Sequence, residues 1–128
     1  MNAQLREKHF ENLRDPCAME MYDGLCSDYE RLYGAIPASA QTIICDIAVM
    51  EQSKRAYYEN INKCGVMEEF RNGRQHFWRE NKAVQAARAL AEQQRKHMNE
   101  LKLTPSSQRV TPRNLYILPI HWASRSAR

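Results

Sequence analysis

Arginine and lysine supply most of the chemistry this chain can do. Arg71, Arg74, Arg79, Lys82, Arg88, Arg95, Lys96 and Lys102 fall within one stretch, and Arg109 and Arg113 follow. Cations at this density suit contacts to nucleic-acid phosphates, which need positive charge at flexible reach rather than a fixed side-chain constellation. Nothing comparable supports catalysis. Gly24, Gly34, Gly65 and Gly73 are scattered, so no glycine-rich phosphate loop exists. His9, His76, His97 and His121 stand far apart, and Cys17, Cys26, Cys45 and Cys64 lack the close pairing of a zinc site. Glu68 and Glu69 are neighbours that a strand would turn to opposite faces. The expectation is a non-enzyme with no catalytic residues, no metal and no cofactor, its cysteines small buried thiols of a reducing compartment.

The charge is unevenly spread. The formal net charge is +4 over 128 residues, yet residues 17–70 carry nine acids against four bases. Residues 71–100 carry seven bases against three acids, and residues 101–128 carry five bases and no acid. An acidic front and a basic back point to a polyanionic partner for the back half, or to front-to-back self-association. No apolar run approaches the roughly 20 residues that cross a bilayer, and residues 1–14 lack the apolar stretch of a secretory signal. The sequence therefore predicts a cytosolic protein with no membrane partner and no small-molecule substrate.

Helical elements must position the cations. Met19, Tyr22, Leu25, Cys26, Tyr29, Leu32 and Tyr33 recur at helical spacing, predicting a helix over 15–33 that Gly34 stops. Pro37 opens a longer helix whose apolar positions Ile43, Ile44, Ile47, Met50, Tyr57, Tyr58 and Ile61 keep the period to Cys64, with Gly65 as its stop. A rod of such length in a small domain finds cover on its helical neighbour, on a second subunit, or on both. The period then breaks. Val66 to Phe70 and Gln75 to Trp78 flank an Asn72-Gly73 pair, the signature of a tight hairpin turn. Phe70, Phe77 and Trp78 are its expected anchors, with Arg71 and Arg74 at the tip. Asn81 caps a third, basic helix over 82–101, whose stripe is Val84, Ala87, Leu90, Ala91, Met98 and Leu101. Thr104 and Pro105 start a short further turn through Gln108. The division expected is an arm over 1–14, a helical domain over 15–110 and a tail over 111–128. In the tail, Tyr116, Ile117, Leu118, Ile120 and Trp122 form an apolar segment, limited by Pro119 to an edge strand or docking peptide. The fold class is mostly α: an antiparallel helical hairpin, a third basic helix, a small β-hairpin insertion and an extended C-terminal tail.

One run is more specific than the helices. Asn99-Glu100-Leu101-Lys102-Leu103-Thr104-Pro105-Ser106-Ser107-Gln108-Arg109 resembles the Leu-Gly-Leu-Thr-Pro-Ser-Ser-Arg-like run that ends a helix in phage terminase small subunits. Asn81-Lys82-Ala83-Val84 is similar to that family's Asn-Pro-Ala-hydrophobic helix start, and Tyr57-Tyr58 with Gly65 to its second helix. The likeness covers about three-quarters of the chain. Lys102 stands where glycine is usual, which predicts a helix running further before the turn, and Gln108 stands where arginine is usual.

The resemblance implies a ring-forming homo-oligomer in the host bacterial cytoplasm. It would bind double-stranded viral DNA and bring it to the large terminase subunit, which holds the ATPase and nuclease. Within the motif, Thr104 and Pro105 would start the next turn while Leu101 and Leu103 plug the core. The arginines and lysines from Arg71 to Arg113 would supply the DNA contacts, some of them pairing instead with the acidic front half across a subunit interface. The apolar tail would dock on the large subunit or a neighbouring protomer, or pack on its own core. Two rival readings are a small helical transcriptional regulator and a structural adaptor of a phage head or tail. A helix-turn-helix use of the first two helices fits poorly, because an acidic recognition helix is repelled by phosphates.

Overall fold

The computed structural model describes residues 1–105. The elements run α1 (Ala3–Phe10), α2 (Pro16–Tyr33), α3 (Ala38–Cys64), β1 (Met67–Asn72), β2 (Gln75–Glu80) and α4 (Lys82–Glu100). The mostly helical class and the single antiparallel hairpin agree with the sequence reading. The turn expected through Ser106, Ser107 and Gln108, Arg109, Arg113, and the tail residues Tyr116, Ile117, Leu118, Ile120 and Trp122 lie outside the described residues.

Local chemistry accounts for the helix ends. Asp15 caps α2 by accepting a hydrogen bond from the Cys17 amide at 2.9 Å, Pro16 takes the first helical position, and Gly34 leaves the helix at φ 87°. Pro37 precedes α3 in an extended conformation rather than opening it, and Gly65 ends it at φ 83°. With 27 residues, α3 is about 40 Å long.

The core gathers on the first half of this rod. Ala18, Tyr22, Leu25 and Cys26 of α2 meet Ala40, Ile44, Cys45, Ile47 and Ala48 of α3, and Leu13 and Leu101 close the ends. After the hairpin, α4 returns antiparallel along α3, bringing Asn81 to Asn60 and Gln94 to Ile47. The expected antiparallel pair of α2 and α3 is present, so α3 is covered on two sides near its start. Its far part, Arg55 to Asn60, is exposed, and Tyr57 and Tyr58 lie on it. Two thiols, Cys26 and Cys45, are buried as expected, but Cys17 and Cys64 are exposed.

The arm over residues 1–14 contains a helix that the sequence pattern does not announce. Arg6 binds Asp23 of α2 through two hydrogen bonds of 2.8 Å and lies over the Phe10 ring, 4.1 Å from its centroid. Below it is a buried polar cluster. The Tyr22 hydroxyl accepts from Gln41 Nε2 at 2.8 Å and lies 2.7 Å from His9 Nδ1. The Tyr22 hydroxyl can also accept from or donate to His9 Nδ1, according to which imidazole nitrogen carries the proton. Burial pushes the His9 pKa down, against a weaker upward pull from Asp46, and holds the Tyr22 hydroxyl up at about 12.

Against the same core, α4 stops at Glu100 and does not run on through Lys102. The Leu103 amide donates to Met98 O and the Lys102 amide to Asn99 O, both at 3.0 Å, which is a Schellman cap. Lys102 occupies the left-handed position at φ 55°. Lysine substitutes for the usual glycine without changing the cap, at the cost of backbone strain. Leu101 is buried and Leu103 packs against the core, as the motif reading expects.

The hairpin also differs in detail from its sequence signature. Asn72 pairs with Gln75, so the two turn residues are Gly73 and Arg74 rather than Asn72 and Gly73. Gly73 has φ 64° while Arg74 stays at negative φ, the pattern of a turn with glycine first. Phe77 and Trp78 are not the buried anchors expected; both are exposed. The Phe70 side chain lies outside the described set.

Two outcomes follow for stability. Lys102→Gly relieves the left-handed strain, partly offset by glycine's unfolded-state freedom, and should raise stability by about 0.5–1 kcal/mol. An unchanged or lower urea midpoint would contradict the strained cap. His9 binds its proton more weakly when folded than its ordinary value near 6.5, so the unfolded chain takes up more protons below that pH. Its contribution is complete above about pH 6.5 and is lost as pH falls. Denaturant midpoints should therefore drop between pH 7 and 5.5, and His9→Gln should flatten that slope; an equal slope in the variant counts against the cluster.

Candidate nucleic-acid interface

The expected cations fall into two groups, on the hairpin and on α4. Asn81 creates the junction between them. Its Oδ1 accepts from the Ala83 amide at 3.0 Å, its Nδ2 donates to Gly65 O at 3.0 Å and Asn60 Oδ1 at 2.9 Å, and its own amide donates to Val66 O. One buried side chain thus starts α4 and ties the ribbon's base to the end of α3.

On the ribbon, Arg71 pairs with Glu69 at 3.2 Å and Arg79 with Glu68 at 3.0 Å, while His76 Nδ1 also lies 3.0 Å from Glu69. Arg74 occupies the exposed turn. The ribbon's charges are therefore largely matched within the ribbon.

On α4 the two faces are sharply different. Ala83, Ala87 and Gln94 are buried, and the small residues let α3 and α4 approach closely. Lys82, Arg88, Arg95 and Lys96 are all exposed, with Lys102 exposed just past the helix. Arg88 and Arg95 are seven residues apart, so they lie along one edge of the helix about 10 Å from each other. Arg95 is held by Glu92 one turn earlier. Lys82, Arg88, Lys96 and Lys102 make no ion pair among the described residues. No acid occupies the first turn of α4, so the ammonium of Lys82 adds to the positive end of the helix dipole.

Rigidity beneath this face comes from Gln94, a residue the apolar stripe does not include. Its Nε2 donates to Ile47 O and Glu51 Oε1, both at 3.1 Å, and its Oε1 accepts from Lys54 Nζ at 2.7 Å. Lys54 also pairs with Glu51 at 3.0 Å. Burial raises the Glu51 pKa, but the Gln94 hydrogen bond and the Lys54 ammonium outweigh it and hold the carboxyl below its usual range. A glutamine breaking an otherwise apolar helical stripe is the signal available in the sequence. The arrangement fixes the register of α4 on α3, and so the direction in which the cations point.

Among the described residues no group of three or more His, Cys, Asp or Glu side chains could hold a metal ion, and no helix is long and apolar enough to cross a membrane. No match was found among curated proteins or among solved structures. The family model described as phage terminase, small subunit, matches residues 18–114, from the start of α2 past the end of α4. With that match spanning most of its length, the chain belongs to the phage terminase small subunit family.

Proposed function

We propose that this protein is the non-catalytic, ring-forming subunit of a phage DNA-packaging motor, which binds viral duplex DNA and delivers it to the large terminase subunit. The observation that carries the DNA-binding part is the exposed face of α4, where Lys82, Arg88, Arg95 and Lys96 lead to Lys102 above a buried face without charge. Phosphates are recognised by cations within reach, so such a face binds duplex DNA with little sequence preference. Each chain offers only a few such cations. In a closed ring the same stripe repeats around the particle, and the linked patches add avidity that one copy lacks.

Replacing Arg88, Arg95 and Lys96 together by alanine should weaken binding to unrelated duplexes alike. The slope of log affinity against log salt should flatten by about 0.9 for each phosphate that is no longer neutralised. Unchanged affinity and slope would assign these residues to solvent or to a protein partner. The intact chain should sediment and scatter as a discrete multiple of its mass, and a single chain at high concentration would rule out the ring.

The apolar tail from Tyr116 to Trp122 is the segment of this chain best suited to docking on the large subunit, since it is apolar and lies beyond the helical domain. Deleting 115–128 should reduce stimulation of the large subunit's ATPase while the particle mass is retained. Loss of the particle itself would make the tail an assembly element instead.

A further inference from the structure

The ribbon of β1 and β2 presents aromatic surface on both of its faces. Phe77 and Trp78 are consecutive, and consecutive strand residues point to opposite sides. Phe77 is 47% exposed and Trp78 is 65% exposed. The register places Trp78 opposite Glu69, on the same face as Met67, which is exposed too. A two-stranded ribbon is marginal in water without cover, so a ribbon this exposed is a poor arrangement for an isolated chain.

The charges show what kind of partner fits. Residues 67–80 contain Glu68, Glu69 and Glu80 against Arg71, Arg74 and Arg79, and so carry no net charge. Ion pairs within the ribbon occupy Glu68, Glu69, Arg71 and Arg79. A neutral, aromatic, internally paired surface suits protein rather than a polyanion. The same chain offers a matching surface on a different element: Tyr57 and Tyr58 are exposed on the far part of α3. Two different apolar surfaces on one chain are what a head-to-tail contact requires. A two-fold pair covers one face of each ribbon, whereas a copy in a cyclic assembly has neighbours on both sides.

We infer that the ribbon is the assembly wedge of this protein: it lies between neighbouring copies, with its Trp78 face seated on Tyr57 and Tyr58 of the next copy. This rests on the ring reading above and names the surface that makes the ring. The hairpin arginines then belong to the protein–protein contact, and the cations of α4 remain for DNA.

The test uses two variants of the full chain, Trp78→Glu and the double variant Tyr57→Glu, Tyr58→Glu. Trp78, Tyr57 and Tyr58 are exposed and lie outside the core cluster, so helix content by circular dichroism should match that of the unaltered chain. Each variant alone should scatter light as a single chain. Mixed in equal amounts at high concentration they should form a one-to-one pair by native mass spectrometry, because one retains the ribbon and the other retains its seat. Variants that keep the full particle mass, or that stay single when mixed, overturn the wedge while leaving the ring reading intact. A wild-type chain that is itself monomeric sinks the ring reading first, and the two failures are thereby distinguished.

Discussion

The structure depends on a mismatch between the length of α3 and the cover available to it. A rod of 27 residues receives α2 and the core on its first half, and on its second α4, with the segment before α2 held to Gln52 and Arg55. Burial of Ile44, Ile47 and Ala48 gives the domain its cohesion through apolar area removed from water. On the outer part Tyr57 and Tyr58 are exposed, and the hairpin is attached beyond it. Such a distribution concentrates stability at one end and uncovered apolar surface at the other. In the proposed ring, neighbouring copies would cover that surface and leave the basic face of α4 unobstructed.

Polar side chains at a few buried positions convert this packing into one geometry. Apolar and alanine surfaces between α3 and α4 would tolerate sliding by a turn, because their contacts are non-directional. Gln94 removes that freedom, since its hydrogen bonds to Ile47, Glu51 and Lys54 are satisfied in one register only. Asn81 does the same at the hairpin base, and the Gln41–Tyr22–His9 cluster does so for α1. Breaking any of these leaves buried donors or acceptors unpaired, at about 1–3 kcal/mol each. The orientation of Arg88 and Lys96 thus rests on neutral residues beneath them.

Much of this architecture is legible from local rules. The period of apolar residues marks α2, α3 and α4, Asp15, Asn81, Gly34 and Gly65 mark their ends, and the spacing of two β-rich segments marks the hairpin. What escapes is set by contacts distant in sequence or by local exceptions. α1 has no apolar stripe, and it is held by Arg6 to Asp23 and by the His9 cluster. The cap at Lys102 forms because Leu103 and Met98 pack on the core, which outweighs the dislike of lysine for the left-handed region. Trp78 reads as an anchor, and nothing local reveals that it stays exposed on its own chain. Among the cations, composition gives their number, while only the structure separates the ion-paired Arg71 and Arg79 from the outward Arg88 and Lys96.

If neighbouring copies complete the ribbon and the outer part of α3, assembly must protect the ribbon's amides. Amide hydrogen exchange over residues 67–80, followed from dilute to concentrated protein, reads this out, because a bare two-stranded ribbon protects its amides poorly. Exchange should be rapid in dilute solution and strongly slowed as the particle forms, in step with the rise in mass. Ribbon amides that go on exchanging rapidly in the fully assembled particle would show that the ribbon is not covered by its neighbours.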